Sequence, residues 1–227
     1  DCWDEAHPLA VHKIRIEAKK KGEEVHFADL HELAFEKGSE LPEGDPGRKF
    51  KGRVVLLGDR IWTPGKHCVF EELSASPAAM EACKLAFAYG SLLEDGEYIT
   101  EEFVIQQSDC TQAYTQADMS GKDTYIRLPR HRWPDSWNKF AEKHGLGDKD
   151  VCCKLNKALY GHPMSGLYWE QHCEKKVLEE GFVQIGQSNE WRSCYFHPEY
   201  LTLLIVYVDD MLMAGPKSKV AECWHNL

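Results

Sequence analysis

Leu203-Leu204-Ile205-Val206-Tyr207-Val208-Asp209-Asp210-Met211-Leu212-Met213-Ala214-Gly215 consists of two apolar runs parted by two adjacent carboxylates. The pattern reads as strand, two-residue turn, strand, with Asp209 and Asp210 at the tip of a hairpin. The pair suits such a turn poorly, because tight hairpins favour Asn-Gly or Asp-Gly, whose glycine takes a positive φ without steric cost. Two neighbouring anions also repel each other. Charge placed against both preferences points to a ligand, and a divalent cation is the first candidate. The bland alternative is a pair of solvated turn acids, a common use of Asp.

One hairpin gives a cation few ligands, so acids at other strand ends matter. Phe103-Val104-Ile105-Gln106-Gln107-Ser108 passes from apolar to polar and ends at Asp109, with Cys110-Thr111-Gln112-Ala113-Tyr114 after it. Three such carboxylates suffice to hold two Mg²⁺ ions about 3.5–4 Å apart, the arrangement that drives nucleotidyl transfer. Alone, Asp109 reads as an ordinary strand terminator; Asp209 and Asp210 lift it into a candidate set.

These residues resemble a known family. Tyr207-Val208-Asp209-Asp210 looks like the active-site box of reverse transcriptases, and its setting is similar to the copia-type retrotransposon enzymes. Four further blocks follow that family's order. Lys51 to Gly58 resembles the Lys-Ala-Arg-Leu-Val-Ala-Lys-Gly block, and Phe70 to Pro77 its Thr-Phe-Ser-Pro-Val region. Gln107 to Tyr114 resembles the first-aspartate block. Val151 to Leu155, with Lys157-Ala158-Leu159-Tyr160-Gly161, resembles the Val-Cys-Lys-Leu…Ser-Leu-Tyr-Gly block. The likeness covers roughly residues 48 to 216, and five ordered blocks are far more specific than a lone Asp-Asp.

The resemblance implies an α+β fold: a reverse-transcriptase palm, meaning an antiparallel sheet backed by helices with acids on its open face, and a fingers subdomain. Residues 1–47 are expected as an N-terminal helical and linker extension leading into the fingers. Residues 48–227 are expected as fingers and palm, truncated after the catalytic hairpin, so that the thumb is absent. The implied activity is RNA-directed DNA polymerisation by a segment of a Pol polyprotein. By resemblance, Asp109 and Asp209 are the main Mg²⁺ ligands, with Mn²⁺ a substitute, and Asp210 is the supporting acid. The Cys110 carbonyl would complete one coordination sphere, and the amides of Gln112 and Ala113 would face the triphosphate. Tyr114 stands where the family keeps an aromatic ring under the sugar, and Lys51 and Arg53 would hold nucleotide phosphates. The implied partners are an RNA template, a DNA primer, deoxynucleoside triphosphates, and the thumb and RNase H regions of a parent polyprotein. A cytoplasmic virus-like particle or the nucleus is the implied location.

One block departs from the family. After Gly161 the expected Leu-Lys-Gln-Ala-Pro-Arg is replaced by His162-Pro163-Met164-Ser165-Gly166-Leu167. Met164 takes the place of a glutamine that contacts the incoming nucleotide, and a thioether lacks the amide's donors. The bland reading is that Met164 fills a gap in a shifted loop. Lost lysine and arginine also remove positive charge. A second functional reading is therefore a catalytically inactive or domesticated palm fragment that only binds nucleic acid or protein. A third, an unrelated metal-binding hairpin, leaves the five blocks unexplained.

Composition sets outer bounds. The 227 residues carry a net charge of −10, which argues against strong nucleic-acid binding by the chain alone. Positive charge is concentrated in Arg48, Lys49, Lys51, Arg53, Arg60 and Lys66, and again in Arg127, Arg130, His131 and Arg132. Such runs are more often solvated faces than grooves. Nine cysteines without regular spacing fit reduced thiols rather than a disulfide framework. Cys194-Tyr195-Phe196-His197 has the spacing of half a zinc site but lacks a second half. No run is long enough to span a membrane, so no membrane partner is expected.

Helices are expected over 4–21 around Pro8, from Ser76 and Pro77 to Gly90, over 134–144, and over 165–180 up to Gly181. In the second, Met80, Cys83 and Phe87 form the expected core stripe. Strands are expected at 25–30, 54–57 and 69–70, with a loop over 38–47.

Overall fold

The computed structural model describes residues 1–65, 78–93, 99–186 and 191–227. In chain order, β1 (Leu9–Ala10), α1 (Val11–Lys21), β2 (His26–Lys37) and β3 (Lys49–Leu56) come first. They are followed by α2 (Met80–Gly90), β4 (Phe103–Asp109) and a single helical turn, α3 (Ala113–Gln116). Next come β5 (Thr124–Arg127), α4 (Asp135–His144), β6 (Val151–Lys154) and α5 (Ser165–Glu179). The last part holds β7 (Val183–Gln184), β8 (Cys194–His197), β9 (Thr202–Tyr207), β10 (Asp210–Pro216) and α6 (Lys217–Asn226). The architecture is α+β. Two compact units each combine two separate stretches: Asp1–Glu72 with Asp118–Ser165, and Leu73–Ala117 with Gly166–Leu227. No described helix is long and apolar enough to cross a membrane.

The first unit is built on a sheet of order β1-β6-β5-β2-β3, in which β2 and β5 run parallel and the other pairs antiparallel. Residues 1–47 supply β1, α1 and β2 to it. The helix expected from residue 4 begins at Val11, because the backbone of Leu9 and Ala10 pairs with Cys152 and Val151 instead. Its end matches the sequence: Lys19, Lys20 and Lys21 complement the helix dipole, and Gly22 terminates it at φ 69°. Helix α4 buries Trp137 and Ala141, four apart on one face, and closes at Gly145 with φ 62°. The Trp137 indole donates to the Glu5 carbonyl at 2.8 Å, so the largest buried side chain leaves no orphan N–H.

Two of the sequence blocks cross here backbone on backbone. Leu56 N–H donates to the Tyr160 carbonyl at 2.7 Å. A Cβ on Gly58 would overlap the Gly161 carbonyl oxygen, and a Cβ on Gly161 the Leu56 carbonyl oxygen. Gly161 also has φ +90°. Both glycines are demanded by this approach.

The second unit is an antiparallel sheet of order β4-β10-β9-β8-β7. The unbroken apolar run of β9 now has a cause. Leu203 and Ile205 face a cluster with Ala82 and Ala86 of α2, whereas Leu204 and Val206 face one with Trp169 and Val177 of α5 and Val220 of α6. A central strand covered on both faces needs no polar alternation. The open acid-bearing face expected from sequence is therefore confined to the sheet's end, where Gln106 to Asp109 are exposed.

The stripe expected on α2 is corrected. Met80 and Phe87 are exposed, and Ala82, Ala86 and Gly90 face the sheet. A Cβ at Gly90 would overlap Ile105, so small residues let the helix sit close, and that proximity outweighs the burial of larger side chains. Ser76, Pro77, the 69–70 strand and the Phe70–Pro77 block lie outside the described residues. The strands expected at 25–30 and 54–57 overlap β2, which starts at His26, and β3, which ends at Leu56; both are longer than expected because Leu30–Lys37 pairs with Lys49–Leu56 as a hairpin.

Candidate active site

The hairpin differs from the sequence reading by one residue. The turn is Val208-Asp209, and Asp210 is the first residue of β10, paired with Tyr207. Val208 has φ +57°, a conformation that a β-branched side chain adopts only under strain. Two hydrogen bonds hold it. Trp169 of α5 donates its indole N–H to the Val208 carbonyl at 2.6 Å, and Cys110 N–H donates to the Asp209 carbonyl at 2.6 Å.

Asp109 ends β4 directly opposite Asp210 of β10, so the two carboxylates project to the same face. Gln107, two residues before Asp109 and on that face, donates its amide to Asp210 Oδ1 at 3.2 Å. Asp209 sits around the turn. Burial, first, pushes the Cys110 thiol up; a hydrogen bond from Gln116 opposes that, and the charges of Asp109 and Asp209 add to it. The Tyr114 phenol is likewise raised by burial and then by Asp209. Asp109 and Asp210 are thus brought together, with Cys110 and Tyr114 beside Asp209. Among the described residues, no three His, Cys, Asp or Glu side chains stand close enough to share one metal ion. The donor chemistry of the acids suits Mg²⁺, a hard cation taking carboxylate oxygens, but the described residues do not gather three such ligands around one point.

Beyond Asp109 the chain turns sharply. Gln112 has φ +56°, and its carbonyl accepts from Thr115 N–H and Oγ1, both at 3.0 Å. Gln116 donates to the Thr111 carbonyl at 3.0 Å. Ala113 is buried, and Tyr114 packs partly buried against the cluster that contains Ala113 and Trp169.

The remaining candidates belong to the first unit. Lys49, Lys51 and Arg53 alternate along one face of β3, the edge strand of its sheet. The Arg53 guanidinium lies 5.8 Å from the Phe35 ring and 5.6 Å from the Tyr160 ring, within cation–π range. The second basic cluster read from sequence is paired with acids, although Arg130, His131 and Arg132 are exposed and only Arg127 is partly buried. Arg127 bonds Asp29 through two nitrogens at 2.6 and 2.7 Å, Arg130 meets Asp148 at 3.5 Å, and Arg132 and His131 share Glu32. Cys194 and His197 serve separate environments. The thiol donates to the Arg192 carbonyl, whereas His197 Nε2 lies 3.1 Å from the Glu180 carbonyl.

Met164 is half-buried, and its N–H donates to His162 Nδ1 at 3.2 Å. Burial, with a smaller contribution from His26, pushes the His162 pKa down to about 4 from 6.5. As pH falls below 6.5 the unfolded imidazole takes up a proton while the folded one stays neutral. The unfolded state then binds more protons, so stability declines between pH 6.5 and 4, by up to about 3 kcal/mol. The urea midpoint is expected to fall from pH 7.5 to 4.5 by less in His162→Leu than in the unsubstituted protein. Equal falls would show that His162 carries no such load.

Sequence reasoning missed Trp169 and Gln107 as site residues. Trp169 reads as one more apolar position on an amphipathic helix, and nothing local announces where an indole N–H points.

Comparison with known proteins adds the following. The family model described as reverse transcriptase (RNA-dependent DNA polymerase) matches residues 45–226. The retrovirus-related Pol polyprotein from transposon TNT 1-94 of Nicotiana tabacum is 21% identical over 167 residues, 74% of this chain. The aligned part is 11% of that polyprotein's length.

Proposed function

Since the chain belongs to the copia-type reverse transcriptase family, we propose that it is an RNA-directed DNA polymerase segment, with the second unit as palm and part of the first as fingers. The observation that carries this reading is the ladder register that sets Asp109 against Asp210, with Asp209 in the adjoining turn. In this reading Asp109, Asp209 and Asp210 would hold Mg²⁺ or Mn²⁺, and a bound ion would lower the pKa of the primer hydroxyl and neutralise charge at the leaving pyrophosphate. The protein's own work is mostly positioning. The Cys110 carbonyl and the amides of Gln112 and Ala113 present polar backbone beside Asp109, and Tyr114 presents a ring to the sugar. Lys51 and Arg53 take nucleotide phosphates. Met164, in the family's glutamine position, offers a side chain that packs where the amide would hydrogen-bond.

The test is primer extension on a primed RNA template with Mn²⁺ or Mg²⁺ and four deoxynucleotides. Extension is expected from this chain and none from Asp209→Asn. A folded chain that extends nothing, or an Asp209→Asn variant that extends equally, sinks the reading.

A further inference from the structure

We propose that Trp169 is a positioning residue: its indole N–H holds the strained Val208-Asp209 turn in the one conformation that presents Asp209 beside the end of β4. For its link to polymerisation the inference rests on the function proposed above; the clamp itself does not.

Three observations carry it. Val208 is held at φ +57°, where a β-branched residue is costly, so something must oppose relaxation of the turn. In a two-residue hairpin, positive φ at the first central position is a task that glycine performs without restraint. The restraint is visible: the Trp169 indole donates to the carbonyl of Val208 itself at 2.6 Å. Trp169 is in turn packed on its sides, buried at 4% exposure in a cluster with Ala113, Cys173, Val206 and Met213. The next carbonyl, that of Asp209, accepts from Cys110 N–H at 2.6 Å, which couples the turn to the strand that ends in Asp109. Helix α5 thus fixes one side of the turn and the β4 end fixes the other, and Asp209 lies between the two anchors.

Loss of the donor frees the turn without emptying the core. Trp169→Phe keeps an aromatic ring in the pocket and removes the N–H, leaving a part-buried carbonyl unpaired. Val208→Gly removes the reason for the clamp, since glycine holds positive φ unaided. Hydrogen exchange of backbone amides reads the turn directly. In Trp169→Phe, exchange at Asp209, Asp210 and Cys110 is expected to accelerate on the order of tenfold. Exchange at Ile205 and Met213 and the urea midpoint are expected to change far less. Mn²⁺ binding, followed by titration calorimetry, should weaken with the turn, and Trp169→Phe combined with Val208→Gly should recover both readings.

The outcomes separate cleanly. Unchanged exchange at the turn overturns the clamp. Uniform acceleration across the sheet, matched by the urea midpoint, also overturns it, because Trp169 then merely packs. A loosened turn that leaves Mn²⁺ binding untouched overturns the positioning role. If the unsubstituted protein binds no Mn²⁺ while Trp169→Phe still loosens the turn selectively, the clamp stands and the polymerase reading fails.

Discussion

Replacing Asp109 with Asn is expected to lower metal-dependent primer extension by at least about a hundredfold, because charge stabilisation at a metal site is worth several kcal/mol and each 1.36 kcal/mol is tenfold in rate. The same substitution is expected to leave the melting temperature in metal-free buffer unchanged or slightly raised. Asp109 stands directly opposite Asp210, and like charges so placed on an antiparallel ladder cost roughly 0.2–1 kcal/mol. Stabilisation by Mn²⁺ should vanish together with activity. The combination matters more than either half. A variant that loses extension and also melts far lower has lost its fold, whereas full extension by Asp109→Asn removes the acid from the chemistry.

Gly161→Ala is the second large effect. At Gly161 the backbone has φ +90°, and a methyl would overlap the Leu56 carbonyl oxygen, where no flexible side chain can yield. The expected loss is about 3 kcal/mol or more, the range of overpacked and strained sites. Gly145→Ala is the matched control, with φ +62° but open space around it, and should cost only about 1 kcal/mol. Urea denaturation followed by the fluorescence of Trp133 and Trp137, both buried in the same unit, reads both variants. Equal costs would mean that Gly161 answers to φ alone and that the two backbones have room to part.

The elements with a strong local cause were legible in the sequence. Helix α4 was readable from Trp137 and Ala141 at helical spacing and from Gly145 at its end. Helix α5 was readable from Trp169, Cys173 and Val177 up to Gly181. Strand β4 and its terminal Asp109 came from the apolar-to-polar gradient of residues 103–109, and the acid hairpin came within one residue. What failed depended on distant partners. The turn shifted to Val208 because a tryptophan 39 positions earlier holds it, which no preference of valine suggests. Helix α2 turned its alanines inward because the sheet approaches too closely for methionine or phenylalanine. The second basic cluster dissolved because Asp29, Glu32 and Asp148 reach it from other parts of the chain. Of the candidate site, the residues were visible as types in order. That Asp109 meets Asp210, with Asp209 in the adjoining turn, is a matter of register.

The two units interleave along the chain, and this has a consequence for how the protein reaches its native state. Among the described strands, β4 pairs with β10 alone, about a hundred residues further on. Loop closure on that scale is slow, whereas the β8–β9 hairpin forms from neighbours. During synthesis, β4 leaves the ribosome long before its partner exists and waits with an unpaired edge, the kind of surface that invites aggregation. Its last four residues, Gln106-Gln107-Ser108-Asp109, are polar and exposed, so the waiting edge is sticky only along half its length. The same polar residues that are proposed for the acid site would thus also guard the nascent chain.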